Sequence, residues 1–208
     1  MKYLTLAVAC FAAATTQAAQ AQTVWFNLHG AYAAYGEFEQ SREFTGFGFG
    51  GSAGLRVSSV ALELEGYSAN VTPVNAGDDF TMRQGDVRAT FFFTPLFGLQ
   101  AGVGTRMISP EFAAQDVGFI RVGLVSENQI SRLADLKIRG AYLAAPSFSG
   151  GGTAGFAMEL GLVTSVGAPD GKFRVVFAYD FQRFDRTVNA LSVPLQTTTA
   201  RGGLQVGF

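Results

Sequence analysis

The sequence predicts an all-β fold, a transmembrane antiparallel up-and-down β-barrel of ten strands. Three observations carry that expectation. From residue 22 onward, polar and apolar residues alternate with a period of two, the spacing of strands with two chemically different faces. Beyond the N-terminal segment no run of about 18 apolar residues appears although mean hydropathy is positive, which excludes helical membrane spans but not hydrophobic strands. The last strand shows the two faces most plainly. Pro194, Gln196, Thr198, Ala200, Gly202, Leu204, Val206 and Phe208 share one, and Leu195, Thr197, Thr199, Arg201, Gly203, Gln205 and Gly207 share the other.

Ahead of the alternation, Lys2 precedes an apolar run over residues 4–14 that is too short to span a bilayer as a helix. Ala19-Gln20-Ala21 then fits the small-x-small cleavage rule, so residues 1–21 are expected to be a signal peptide and residues 22–208 a single barrel domain. Cys10 allows a lipoprotein-type signal as an alternative, with an unusually short apolar region. It is the only cysteine, so cleavage after Ala21 leaves neither disulfide nor thiol ligand in the exported domain. With 15 Lys and Arg against 16 Asp and Glu, there is no basic footprint for nucleic acid.

The strands follow in order. Over 24–36, Val24, Phe26, Leu28, Gly30 and Tyr32 oppose Trp25, Asn27, His29 and Ala31, and 37–43 is expected as a polar loop. Over 44–57, Phe47, Phe49, Ala53, Leu55 and Val57 oppose Gly46, Gly48, Gly50 and Arg56, ending in a tight turn at Ser58-Ser59. Over 60–70, Val60, Leu62 and Leu64 oppose Glu63, Glu65 and Tyr67, before a loop over 71–79. Over 80–93, Val87, Ala89, Phe91 and Phe93 oppose Gln84, Asp86, Arg88 and Thr90, and Thr94-Pro95-Leu96 turns the chain. Over 97–108, Phe97, Leu99, Ala101 and Val103 oppose Gln100, Gly102, Gly104 and Arg106, with a loop over 109–116.

The sixth strand, 117–126, sets Ile120, Val122 and Leu124 against Arg121. Residues 127–134 are expected as a long turn or one helical turn, because Ile130 and Leu133 are three apart. In the seventh, Leu136, Ile138, Gly140 and Tyr142 oppose Lys137, Arg139 and Ala141, and 146–152 is a Gly-rich loop. Over 153–166, Met158, Leu160 and Leu162 oppose Glu159 and Gly161, and Pro169-Asp170-Gly171 is a turn signal. In the ninth strand Phe173, Val175, Phe177, Tyr179 and Phe181 oppose Arg174, Asp180 and Gln182; a loop over 185–192 leads to the tenth. An even count keeps both termini on one side; merging two neighbours would give eight.

Parity alone also allows a soluble barrel with an apolar interior. The mid-strand charges Glu65, Arg88, Arg121, Arg139, Glu159 and Arg201 must point inward if the barrel spans a membrane, since an outward Arg there costs about 2 to 4 kcal/mol. Short turns at one end, longer connections at the other, and aromatics at strand ends favour the membrane. Phe26, Phe91, Phe93, Phe97, Phe173 and Phe208 lie towards the short turns; Tyr32, Tyr142, Tyr179 and Phe181 lie towards the loops.

The last eight residues, Arg201-Gly202-Gly203-Leu204-Gln205-Val206-Gly207-Phe208, place a polar residue, a glycine, a hydrophobic residue and a terminal aromatic at Arg201, Gly203, Val206 and Phe208. This resembles the signal read by the outer-membrane barrel assembly machinery, and with the export segment the whole chain resembles small bacterial outer-membrane β-barrel proteins. The resemblance implies outer-membrane localisation in a Gram-negative-type bacterium, with outer-membrane lipid and the assembly machinery as partners. That family includes structural, adhesive, pore-forming and lipid-modifying members, so it assigns no chemistry.

Little in the residues suggests catalysis. His29 is the one histidine and lacks a serine partner in its motif, so a lumen polar residue is the better account of it than a lipid-modifying enzyme. Asp78-Asp79 and Asp185 are acids without supporting neighbours, and a solvated turn explains Asp78-Asp79 better than calcium. No cofactor is expected: Gly46-Phe47-Gly48-Phe49-Gly50-Gly51 and Gly150-Gly151-Gly152-Thr153-Ala154-Gly155 fit G-x-G-x-x-G, but neither opens a helix after a strand. The glycines of the first leave room for long side chains from neighbouring strands. The inward set is expected to be Arg56, Glu63, Glu65, Asp86, Arg88, Arg106, Arg121, Lys137, Arg139, Glu159, Arg174, Asp180 and Arg201. These form either an ion-pair ladder that fills the lumen or, since bases outnumber acids, a narrow anion-preferring path. The sequence therefore points to a non-enzymatic barrel, structural or passing small solutes, with an adhesion barrel disfavoured by short outer loops.

Overall fold

A computed structural model describes residues 22–37, 42–75, 77–110, 113–168 and 171–208. The expected signal peptide lies outside them, as do Pro169 and Asp170 of the expected turn. Ten long strands form the wall: β1 (Gln22–Glu37), β2 (Arg42–Val57), β3 (Val60–Pro73), β4 (Phe80–Phe92), β5 (Phe97–Ser109), β6 (Val117–Ser131), β7 (Ala134–Phe148), β8 (Thr153–Val166), β9 (Phe173–Val188) and, after the two-residue β10 (Leu191–Ser192), β11 (Leu195–Gly207). Each long strand pairs antiparallel with its sequence neighbours, apart from the small β10, which pairs only with β9. The seam closes where β11 pairs with both β9 and β1, as in Leu28 opposite Leu204. Closure leaves the wall without a free edge, so backbone groups are paired within lipid.

Several connections expected as loops are strand. Residues 127–131 continue β6 and β7 starts at Ala134, leaving only Arg132 and Leu133 to turn. The helical spacing of Ile130 and Leu133 has a different origin: a register shift between Gln129 and Ser131 puts one extra residue into β6, which interrupts the period of two. β7 runs on through Phe148 beyond another bulge, so only 149–152 remain of the Gly-rich loop. β9 continues to Val188 and turns through Asn189 and Ala190, both at positive φ (50° and 65°), as tight hairpin turns require. The loop expected over 37–43 shrinks as β1 reaches Glu37 and β2 starts at Arg42, and β3 takes residues 71–73 from the next.

Outward-facing Leu28, Leu64, Val87, Leu99, Leu124, Leu160 and Leu204 form an exposed apolar girdle. Phe91, Phe93, Phe97, Phe173 and Phe208 stand exposed at its short-turn margin. Above the girdle the outer surface changes: Asn70, Thr72, Arg83, Ser109, Arg183 and Thr187 are exposed. Eight residues separate Phe91 from Arg83, roughly 20 Å along the axis of a barrel with strands tilted about 40°. That height matches the apolar band of about 25 Å found on membrane barrels.

Candidate functional site

The lumen is built in three layers. At mid-height the inward parity of β3, β4, β6, β7, β8, β9 and β11 brings four acids and four arginines together in a closed circuit. Arg88 bridges Glu65 (2.6 Å) and Asp86 (3.4 Å), and Arg121 bridges Asp86 (2.8 Å) and Glu159 (2.5 Å). Arg139 pairs with Glu159 (3.7 Å) and Asp180, and Arg201 joins Asp180 back to Glu65. Every charge therefore has two partners of opposite sign, and the circuit is neutral. All four arginines are buried, with Arg121 fully so. Removing one partner of such a network is strongly destabilising because it strands the other charge in low dielectric. Gln182 adds a hydrogen bond to Glu159 (2.8 Å) and Gln84 one to Asp86 (2.9 Å).

Towards the outer end the lumen becomes apolar. Tyr35, Phe44, Phe80, Met82, Ile108, Phe119, Leu143 and Phe184 belong to one buried cluster that fills it. Phe44 and Phe80 pack tilted against each other at 4.9 Å and Phe119 and Phe184 at 5.4 Å between ring centroids. Arg106 is fully buried here, over Phe184 (5.1 Å) and Tyr35 (5.6 Å), and hydrogen-bonds Thr197. No carboxylate among the described residues forms a salt bridge with it. A polar rim lies above the cluster. Arg186 donates to Gln115 (2.6 Å) and to the Gly151 carbonyl (2.6 Å), Gln115 donates to Glu37 (3.0 Å), and Tyr35 donates to Glu37 (3.2 Å). Beside the circuit, below Tyr67 and Gln84, is a void of about 10 Å³, room for no more than about one water.

At the short-turn end the lumen opens into a vestibule of about 430 Å³. Lys137 bridges Glu63 (2.6 Å) and Glu127 (3.3 Å), Arg56 pairs with Glu127 (2.7 Å), and Arg174 pairs with Asp135. A small apolar cluster of Ala61, Phe92 and Val125 lies at that end, with Ala61 in the vestibule wall. Of the thirteen expected lumen charges, eight thus lie in the circuit, four (Arg56, Glu63, Lys137, Arg174) line the vestibule, and Arg106 stands apart in the apolar layer. The expected excess of bases is reduced by Glu37 and Glu127, which fell in an expected loop and turn, and by Asp135 just after that turn, while Arg186, buried at the rim, adds one base. Glu127 continues the parity of Arg121 and Val125, and Asp135 that of Lys137 and Arg139, which is the signal that could have found them.

Among the residues matching the assembly signal, Arg201 is in the circuit, Gly203 faces inward opposite His29, and Val206 pairs with Phe26 across the seam. The Phe208 ring stands 6.2 Å edge-on from Phe26, and its backbone amide donates to the Val24 carbonyl (2.9 Å). His29 is buried at the head of the vestibule, and its Nε2 has no hydrogen-bond partner. No group of three or more metal-ligating side chains occurs among the described residues.

Apolar outside and charged inside at membrane height, sealed by side chains above, the molecule belongs to the membrane-spanning β-barrels. No protein-family model matches the sequence, and no curated protein matches it. Among solved structures it is similar to neisserial surface protein A, at 15% identity over 89% of this chain and 97% of that one, with a TM-score of 0.44. It is similar also to the translocator domain of the autotransporter NalP from Neisseria meningitidis (11% identity, 99% and 95% covered, TM-score 0.41). A third is the outer membrane protein OprG from Pseudomonas aeruginosa (9% identity, 91% and 96% covered, TM-score 0.35). Likeness at this level is one of architecture and says nothing of what this chain does.

Proposed function

We propose that this protein is an integral outer-membrane barrel, exported by a cleaved signal peptide, that serves the cell envelope as a non-conducting, non-enzymatic structural element. The observation that carries this is the double seal: a closed circuit of eight charges at mid-height with an aromatic layer above it. A hydrated ion crossing the lumen would have to break several buried ion pairs and then leave water altogether. Either step is prohibitive without a rearrangement of the interior. Among the described residues the His29 Nε2 has no hydrogen-bond partner, and a histidine left so, without a serine or carboxylate on that nitrogen, favours a structural barrel over a lipid-modifying enzyme. The aromatic Phe208 and the outward girdle support the reading that the assembly machinery and outer-membrane lipid are its partners.

The test is conductance. The chain from Gln22, refolded into detergent and shown to be folded by its heat-modifiable mobility in gels, is inserted into a planar bilayer. Silence is the expected result. Reproducible discrete steps from the unaltered protein would overturn the proposal and make solute passage its function.

A further inference from the structure

The lipid-facing wall carries a hollow that the barrel itself does not need. On the outward parity Gly51 of β2 pairs with Gly66 of β3, Gly66 with Gly85 of β4, and Gly85 with Thr105 of β5. These small residues cut a furrow across the girdle, an open hollow of about 680 Å³ that ends at Leu28 and Phe26 of β1. Its lower wall is apolar, formed by Ala53, Leu64, Val87 and Val103. Four strand spacings of about 4.8 Å make it about 19 Å long, more than the roughly 15 Å of hydrocarbon in one leaflet. Behind its low end Ser52 faces the vestibule, and behind its high end Arg106 lies in the apolar layer, so the furrow climbs obliquely towards the outer margin of the girdle.

Nothing inside the barrel calls for these glycines. Inward-facing Gly48 and Gly102 are required by packing, because a Cβ there would run into the backbone oxygens of Ser68 and Val87. A Cβ at Gly66 would meet nothing nearer than 3.4 Å and one at Gly85 nothing nearer than 4.0 Å, and neither residue has a positive φ. The register of β2 to β5 runs without a bulge. Glycine weakens a strand interior, and where neither bulge nor bend needs it, it marks a close approach from outside. The polar residues directly up-strand say what approaches. Ser68 stands opposite Arg83, and Asn70 opposite Thr81. Arg83 is exposed and forms no salt bridge among the described residues, whereas Arg183 elsewhere on the outer wall is paired with Asp185 (2.9 Å). The Thr81 hydroxyl donates to Asn70 Oδ1 (2.9 Å), which leaves the Asn70 amide nitrogen to donate outward. A free cation with hydroxyl and amide donors beside it, above an apolar furrow, is complementary to an amphiphile with an anionic head. We propose that the furrow holds an acyl chain of a phosphate-bearing lipid of the outer leaflet, with the phosphate on Arg83, Ser68 and Asn70. The site rests on the reading of the chain as an outer-membrane barrel and gives its lipid a fixed place on the wall.

The chain from Gln22, refolded in detergent micelles and showing heat-modifiable mobility, is mixed with dimyristoyl phosphatidic acid, and the lipids it retains are counted by native mass spectrometry. One saturable lipid per barrel is expected. Arg83→Gln should weaken its retention roughly tenfold, the loss of one charge-assisted contact, as should replacing the probe by dimyristoylglycerol, which has the chains without the phosphate. Arg183→Gln should change nothing. Gly85→Leu fills the furrow with a side chain for which the wall has room, and should abolish retention in a barrel that still folds. If it does not fold, the contrast between Arg83 and Arg183 carries the test. Equal weakening by the two arginine variants would reduce the effect to general charge attraction and overturn the proposal, as would undiminished retention by Gly85→Leu. A dimer that Gly85→Leu converts to a monomer would put a second copy in the furrow and overturn it as well. A folded barrel that retains no lipid refutes this site alone, whereas a chain that never acquires the heat-modifiable fold refutes the barrel reading with it.

Discussion

The lower and upper parts of this barrel are inverted copies of each other in polarity. At girdle height Leu124 and Leu160 face out while Arg121 and Glu159 face in; near the outer end Arg183 and Thr187 face out while Phe184 and Phe119 face in. The lower part follows the rule of a membrane barrel and the upper part that of a water-soluble one, yet the same strands run unbroken through both. The solvent outside sets the rule each time. Where lipid surrounds the wall, charges can only go inward and must pair; where water surrounds it, apolar side chains can be gathered inside.

The comparison is broken most sharply by placing one substitution in each layer. Arg121→Met leaves Asp86 and Glu159 each short of a partner and is expected to cost about 3 to 5 kcal/mol, read from the urea midpoint of reversible unfolding in lipid vesicles. Arg106→Met, among aromatics and without a carboxylate, is expected to be neutral or stabilising in the same measurement. An equal loss in both would mean that the two layers do not differ as described.

A smaller difference is expected on the outer wall. Leu124→Arg puts a cation into lipid and should cost about 2 to 4 kcal/mol, whereas Thr187→Arg, above the girdle, should cost about 0 to 1. Comparable losses at the two sites would show that lipid reaches Thr187. The smallest effect belongs to the vestibule mouth, where Arg56 and Glu127 remain about a third exposed. Glu127→Gln should change stability by less than about 1 kcal/mol, and the difference should shrink as salt is added to the unfolding series.

The sequence made the wall legible because its signal is local. Leu204 and Val206 against Arg201 and Gly203 show which way each residue points without reference to any other strand. It could not show which charges meet. Glu65 and Arg88 are 23 residues apart, Arg121 and Glu159 are 38, and Arg139 and Asp180 are 41, so their pairing depends on strand register and barrel curvature. The apolar layer was also missed, although the strands do carry its trace. In β4, Val87, Ala89 and Phe91 are apolar on the outward parity, while Phe80 and Met82 are apolar on the inward one, with the change of phase at Gly85. Such a shift within one strand looks like a fading of the alternation when strands are read singly. Repeated across the barrel, it marks the plane where the surroundings change from lipid to water.

The circuit at mid-height bears on how the barrel is finished. Arg201 belongs to the last strand and Glu65 to the third, so the loop of charges cannot be completed until β11 has met β1. A slip of one residue at that seam would turn Arg201 to lipid and Leu204 into the lumen. The final pairing is thus proofread from inside: a misaligned seam leaves Glu65 and Asp180 each missing one of two counter-ions, and only the correct register lets the circuit reach neutrality.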